Sequence, residues 1–586
     1  MSNDTLESTI RGLGLPSFLS ERIHVRRGGP IRSTNSSAFV LYISTVALRA
    51  EENPALDVAV HFGRSLNLPV LSHGFFNDRH THATARRAHF VIDSAREAQQ
   101  GMLTRGVICT YQVMKPGQRQ PRHMTLAARA AVVVTDEPFV EPHLSVLSAL
   151  LRAGSTPLVT VDTACILPAR LTNRGDCDRA FRFRQKTSSA RSARISLPYP
   201  TPPTLTEELR AGSLRARGVL ESLRLDSVDL PRITDTKHVL EGCALDWDVA
   251  PVTNTHGGET RAKRRWKDFF AKGLRSYAAK RNDPLKHHAH GVSRMSAYLN
   301  LGVISPFKIG RETAGVGGGG TRSGPGKFLD EFCVWRELAY SFCYHVPKHL
   351  DAKAALPSWA YTTLQSHAND GPQGREKSRE ELRACRSREP LWDLAQESLV
   401  RNGELHNNLR MTWGKEILRW TRGPDDAYRM LQYLNDHYAL DGLSPPSYAG
   451  LLWCLGWADG PKRETSIFGK VRPRSARSIA RRYDLAKLRE FIRGVEGGGI
   501  LAAFSCDRKS LKRKNSTSSI VALRDDEKSS GDSATPAASG GLRKKSNVVA
   551  WLKKGHHGAK RPNVTKTLNA DLVCDGDRFK GLKPAC

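Results

Sequence analysis

Between Ser37 and Pro168 short apolar runs alternate with amphipathic stretches, and after about Gly257 the short runs stop. That change of period limits the chain to a strand–helix unit followed by a purely helical one. Strands are expected at Ala38–Ile43, Pro69–Ser72, Gly106–Tyr111, Ala131–Thr135 and Pro157–Val161, with helices at Ala55–Leu66 and Ala83–Arg105 between them. Strands joined by helices in this way form a parallel sheet, Rossmann-like in build, covered on both faces. No G-x-G-x-x-G follows the first strand. A dinucleotide site of the usual kind is therefore not supported.

From Leu171 to Asp248 the pattern is that of a connector. It contains Leu197-Pro198-Tyr199-Pro200-Thr201-Pro202-Pro203, which cannot join a sheet. Beyond it, helical periodicity dominates in Lys327–Cys343, Glu397–Thr421 and Asp425–His437. A flexible loop is expected at Gly315-Val316-Gly317-Gly318-Gly319-Gly320. Gly326-Lys327 is not a phosphate loop, because Phe328 stands where Ser or Thr would hold magnesium. The expected division is an N-terminal extension 1–36, an α/β domain 37–170, a connector 171–256, a helical domain 257–496 and a tail 497–586. The tail turns to Ser, Lys, Gly and Ala and is expected to be disordered.

Charge narrows the partners. The 586 residues hold 90 Lys and Arg against 58 Asp and Glu, a balance of +32. Such a field favours a polyanion, nucleic acid first, although an excess placed in a solvated tail would give the same sum. Basic clusters at Lys512-Arg513-Lys514, Arg543-Lys544-Lys545 and Lys553-Lys554 suit nuclear targeting, loose DNA contact or plain solvation. An apolar share of 39% with 25% charged residues excludes a fibrous, wholly disordered or membrane class. No run approaches a membrane span, and Met1–Glu7 carries neither a secretory signal nor a convincing transit peptide. The eleven cysteines never form a C-x-x-C pair, so neither a zinc site nor a disulfide framework is indicated. A reducing compartment fits; the nucleus is expected, an organelle being the alternative.

Trp392, Trp413 and Trp420 stand out in the helical block, the last two seven apart on one expected helix. Their rings would share a face, either as a buried core or as a path for an electron, since indole is readily oxidised. Ser293 and Ser296 offer hydroxyls at a helix start, where a phosphate or a simple cap would both fit. His287, His288 and His290 lack partner ligands and read as a solvated loop, so no metal is expected.

Several stretches together carry a resemblance. They are Lys280-Arg281-Asn282-Asp283-Pro284, Ser293-x-x-Ser296-x-Tyr298-Leu299 and Val334-Trp335-Arg336-Glu337-Leu338-Ala339. Leu405-His406-Asn407-Asn408-Leu409-Arg410-Met411-x-Trp413-Gly414-Lys415, Leu434-Asn435-x-x-Tyr438-x-Leu440-Asp441-Gly442, Trp453-Cys454-x-Gly456 and Ile467-Phe468-Gly469-Lys470-Val471-Arg472 continue them. In this order, over roughly residues 36 to 493, the chain resembles the class II cyclobutane pyrimidine dimer photolyases.

The resemblance implies an α/β antenna domain, a long connector and an all-helical domain that holds FAD, active in its reduced form. It implies a carbon–carbon lyase that repairs pyrimidine dimers in DNA by light-driven electron transfer to a flipped-out dimer. The protein is expected to be a monomer. Tyr277, Ser293, Met295 and Ser296 then correspond to the FAD phosphate and ribitol positions. Arg410 and Asp441 correspond to the ion pair beside the flavin ring, and Asn435 to the asparagine facing its N5. Trp392, Trp413 and Trp420 match the family's electron-transfer tryptophans in spacing and flanks. Glu337 resembles the carboxyl that bonds the dimer's base edge, Trp453 the aromatic that packs on it, and Arg472 falls in a further substrate-side motif. An antenna pigment, if present, would be a deazaflavin or a folate.

Three places depart from the family pattern: Ser296-Ala297-Tyr298-Leu299-Asn300-Leu301-Gly302, Asp441-Gly442-Leu443-Ser444-Pro445-Pro446, and Trp457-Ala458-Asp459-Gly460-Pro461-Lys462. The last replaces a stretch that fills the gap left by a flipped lesion. With the long tail, it keeps open a cryptochrome-like photoreceptor or a DNA-binding flavoprotein without repair.

Overall fold

Val40-Leu41-Tyr42-Ile43 is apolar throughout because the strand it forms is buried on both sides. The structure, a computed structural model, describes residues 5–31, 38–223, 227–317, 320–370 and 376–494. The tail 497–586 and its basic clusters lie outside the described residues, as does part of the glycine-rich loop. The strands are β1 Ile23–Arg27, β2 Val40–Ser44, β3 Val70–Asn77, β4 Ile108–Met114, β5 Val132–Asp136 and β6 Leu158–Val161. They lie in the order β1-β6-β5-β2-β3-β4. All pairs are parallel except β1 with β6, where Ile23 faces Val161.

Alternation along the strands divides the core. Phe39, Leu41 and Ile43 pack with Leu126, Leu147 and Leu150, from the helices Arg122–Arg129 and His143–Ala153. Val40 and Tyr42 face the other layer, which holds the helices Pro54–Leu66 and Ala85–Thr104.

Two segments do more than expected. Ile23–Arg27, placed by sequence in an extension outside the α/β unit, is the sheet's antiparallel edge. Arg26 donates to Thr160 Oγ1 and Glu137, and Arg27 donates to the Leu150 and Leu151 carbonyls at the end of a covering helix. The connector is not merely a tether either: Ala216, Val219 and Leu223 of its helix Leu214–Leu223 belong to the core behind Phe39 and Leu41. Leu197–Pro203 runs without a strand, but Tyr199 tucks in and donates its hydroxyl to Asp57.

After β6 the architecture is helical, and no further strand joins the sheet among the described residues. Glu397–Thr421, expected as one periodic run, is divided. Pro390–Asn402 ends at Gly403, whose φ of 63° is the left-handed conformation that closes a helix. A second helix, Asn407–Glu416, then starts on the His406 side chain. Gly324–Leu329, Asp330–Trp335 and Arg336–His345 continue as one rod with wide π-type turns in its middle. None of the described helices is long and apolar enough to cross a membrane.

Two adjacent arginines join the halves. Arg86 donates to the carbonyls of Leu399, Val400 and Tyr438 at 3.1, 2.6 and 2.7 Å. Arg87 donates to those of Asp436, Ala439 and Gly442 at 3.4, 3.1 and 3.3 Å. Except for that of Gly442, which lies in the loop beyond, these carbonyls close the helices Pro390–Asn402 and Gly423–Tyr438, where a cation also meets the negative end of the helix dipole. Arg86→Met would strand buried carbonyls while keeping most of the apolar stem. It is expected to lower the unfolding free energy by about 3 kcal/mol, measured by urea denaturation.

Candidate functional site

The side chains singled out as cofactor contacts share one cavity. Tyr277, Ser293, Met295, Ser296, Arg410 and Asp441 line it together with Glu331, Phe332, Arg336, Tyr340, Ser447 and Gly450. The serine wall is held by a clamp. Arg294, between Ser293 and Met295, sits at φ 54°, a left-handed conformation that costs a non-glycine residue about 1–2 kcal/mol. Its guanidinium forks onto Glu404 at 2.7 and 2.8 Å. Glu404 also accepts from Thr255 at 2.6 Å and lies 3.0 Å from His287 Nε2. Burial pushes the Glu404 carboxyl up, but Arg294, His287 and Arg265 outweigh it and hold it well below the usual carboxylate range.

The histidines are therefore not a solvated loop. His287, His288 and Glu404 bring ligand atoms within 4.8 Å of one another, the spacing of a metal site. Arg294 occupies both carboxylate oxygens, however, and its charge opposes a cation there. His288 instead packs on Phe491 at 4.9 Å, and burial pushes its pKa down to about 2.

At the other end, Arg410 donates to both Asp441 oxygens at 3.0 and 3.2 Å and to the Asn435 carbonyl oxygen. Asn435 is fully buried and stands behind Arg410, not on the wall. Its amide donates to Asp436 at 2.8 Å and Ser447 at 2.6 Å, which fixes the orientation of its carbonyl toward Arg410.

Three residues along from Arg410 on the same helix is Trp413, whose ring lies 6.3 Å from that of Trp392 at an angle of 11°. Trp392 in turn meets Trp420 edge-on at 5.2 Å. The three form a chain with Trp392 in the middle, built differently from the expected shared helix face. The helix ends at Glu416 and Trp420 lies beyond a tighter turn, Ile417–Arg419. Both inner indoles spend their N–H on neutral acceptors, Trp392 on the Trp413 carbonyl and Trp413 on Gln396.

The substrate-side residues are less well gathered. Phe332, Arg336 and Tyr340 repeat every four residues and face the cavity, so Glu337 is turned about 100° away. It reaches the α/β unit, where the Ile166 and Leu167 amides donate to it at 2.6 and 3.3 Å. This corrects the expectation that Glu337 faces a substrate. Besides Asp441, the cavity wall carries the carboxylate of Glu331, paired with Arg281 and Lys327, both at 2.8 Å. The 328-332-336-340 row in the sequence carried that signal, since Glu331 lies beside it. Trp453 is half-buried one turn beyond Gly450 on the helix Pro445–Cys454. Arg472 does not reach the cavity; it pairs with Asp459 at 2.9 Å, and this pair braces the departing segment after Trp457.

No family model matches the chain. It is 29% identical over 479 residues to the deoxyribodipyrimidine photo-lyase of Methanothermobacter thermautotrophicus, a match covering 81% of this chain and 99% of that protein. The chain belongs to the photolyase/cryptochrome family. Two more photo-lyases match locally. That of Oryza sativa subsp. japonica is 35% identical over 39% of this chain and 44% of its own length. That of Potorous tridactylus is 33% identical over 42% and 45%. Among solved structures, a Synechocystis cryptochrome aligns with TM-score 0.54 at 17% identity, over 77% of this chain and 88% of that one. A class III photolyase from Agrobacterium tumefaciens aligns with TM-score 0.52 at 16% identity, over 78% and 84%. Both share the fold.

A second cavity of this photolyase/cryptochrome chain lies at the carboxyl ends of β2, β3 and β5, where the strand order reverses. Phe75, Phe76, Tyr111, Phe139 and Tyr340 give it aromatic walls, and His80, Arg87 and His143 supply its polar groups.

Glu337 generates a pH test. Burial pushes its carboxyl up to about 7, against Arg336 and the two amides, which pull it down. The folded chain thus holds this proton through a range in which the unfolded chain has released it. Stability is present below about pH 4.5 and lost as pH rises through 7. Relative to Glu337→Gln, the unfolding free energy should fall by about 2–3 kcal/mol between pH 5 and 7.5. Denaturation curves across that range measure it.

Proposed function

We propose that the protein is a light-driven DNA repair enzyme, a deoxyribodipyrimidine photo-lyase acting on cyclobutane pyrimidine dimers. The observation that carries this reading is one cavity with two serine hydroxyls at one end and the Arg410–Asp441 pair at the other, with three tryptophans leading away behind Arg410. A phosphate-bearing, ring-bearing cofactor suits that division, and FAD is the family's. Ser293 and Ser296 would hold its phosphates, and Arg410 with Asp441 would flank its ring system. Reduced FAD, when bound, supplies an electron on illumination, and a dimer that takes up one electron splits. The chain's own part is to place and insulate. Glu404 fixes the strained Arg294 turn, and thereby the serines. Asn435 and Asp441 hold the Arg410 guanidinium at one wall, so that a fixed positive charge faces whatever is reduced there.

The curated relatives carry the name of a repair enzyme, which favours repair over light sensing. The basic chain suits a DNA partner held largely through phosphates. Flipping a dimer costs least where stacking is already poor, a source of selectivity. The aromatic cavity at the strand ends would take a planar antenna pigment.

Purified protein is expected to release FAD on denaturation, read from the absorption of the supernatant. Reduced with dithionite, it should restore a dimer-containing oligonucleotide under near-ultraviolet or blue light and not in the dark; equal lack of repair in both would sink the reading. Trp413→Phe should bind FAD and repair when pre-reduced, yet photoreduce oxidised FAD at least tenfold more slowly. Were the tryptophans only core, the change would cost roughly 1–3 kcal/mol of stability and leave photoreduction of the folded fraction unchanged.

A further inference from the structure

Lys415 is 1% exposed, and no carboxylate lies within ion-pair distance of it among the described residues. A buried ammonium without a counter-ion is costly, so its neighbours indicate what it is kept for. It has two. Its Nζ donates to the Cys454 carbonyl at 2.9 Å, at the end of the helix Pro445–Cys454. It also lies 5.0 Å from the centre of the Trp453 ring, within cation–π reach. Close approach of the two helices makes this possible: a side chain at Gly414 would strike Cys454 Sγ. Trp453 stands one turn beyond Gly450, which lines the cavity, so the indole shares the helix face that carries this part of the cavity wall.

We propose that Lys415 is a positioning residue for substrate: its ammonium, anchored on the Cys454 carbonyl, holds the Trp453 indole at the cavity rim as a stacking surface for the flipped pyrimidine dimer. This rests on the repair reading above. Trp453 is only half-buried and stands in the last turn of its helix, where an unheld indole would rotate. The cation fixes both the ring and the helix end it projects from, at the negative pole of the dipole. The groups facing Lys415 are Cys454 opposite, and Asp459, Arg472 and Arg474 from the segment that follows. Asp459 is already committed to Arg472, so it offers little compensation. Burial pushes the Lys415 pKa down to about 8, so the ammonium is present below that pH and lost above it.

The test measures equilibrium affinity in the dark for a dimer-containing oligonucleotide and for its undamaged twin, using FAD-loaded full-length protein. The ratio of the two is the lesion preference. Lys415→Met is expected to reduce it at least fivefold, Trp453→Ala to at least the same extent, and the double variant no further than Trp453→Ala. Lys415→Arg, which keeps the cation, should retain it within about twofold. In the wild type, which needs no variant to fold, the preference should fall as pH rises from 7 to 9, while in Lys415→Arg it stays level. A merely structural lysine would lower melting temperature and active fraction without moving the ratio. A flat wild-type profile, or additive losses in the double variant, overturns the assignment. Wild-type protein that repairs dimers but shows a flat profile sinks only Lys415. Protein that neither prefers nor repairs them sinks the repair reading as well.

Discussion

Arg86 and Arg87 stand in the first turn of the helix Ala85–Thr104, the wrong end of that helix for positive charge. Their position is offset elsewhere. Between them they donate to six carbonyls of the other half of the molecule, five at the ends of two helices and one, Gly442, in the loop after the second. One of those helices carries Trp392, the other Asn435, and the loop after the second carries Asp441. The sheet thereby sets the height at which the flavin-site candidates stand. Burial pulls the Arg86 pKa down to about 10, which still leaves it charged at neutral pH. A lysine, with one compact charge, could not fork to carbonyls from two helices.

Buried carboxylates hold the remaining joints, and each takes a place where a ligand or water would otherwise be needed. Asp136 accepts from the amides of Thr45, Val46 and Ala47 at 2.8, 2.7 and 3.2 Å, and from the Tyr42 hydroxyl. Those amides follow β2, the position where a dinucleotide-binding fold cradles phosphate. With the nest filled by the chain's own carboxylate, the cavity beside it keeps largely aromatic walls. The missing glycine fingerprint and the filled nest are two views of one fact. Glu404 plays the corresponding part in the helical half, drawing Arg294 into a strained turn so that Ser293 and Ser296 share a wall.

Five strands were legible because each is a short apolar run between turn signals. β1 was not: Ile23-His24-Val25-Arg26-Arg27 shows apolar character only at alternate positions, and its arginines read as solvent-facing until Glu137 and Thr160 receive them. The division of Glu397–Thr421 hung on Gly403, one residue inside a run whose periodicity otherwise continues. In the site, motif order brought Tyr277, the serines, Arg410 and Asp441 to one cavity, because they hang on rigid local spacing. Glu337 went astray because a motif marks a residue without its direction. Only the helical phase of 328, 332, 336 and 340 gives that, and wide turns at Asp330–Trp335 disturb the phase just before it.

The tryptophans divide by their electrostatic surroundings. A positive charge near an indole raises the energy of any further positive charge on the ring, and the effect grows as water is excluded. Trp453 has the Lys415 ammonium at 5.0 Å; Trp392, Trp413 and Trp420 have no cation over their rings among the described residues. Losing an electron is therefore harder at Trp453 than in the buried trio, whose N–H groups meet only neutral acceptors or neighbours. A ring meant to be stacked upon gains from being hard to oxidise, because it then does not compete for the charge it lies beside. A ring meant to pass an electron needs the opposite, and the helix Asn407–Glu416 supplies both environments from one element. Trp413 lies on its face toward Trp392, and Lys415, two residues on, points toward the helix that carries Trp453.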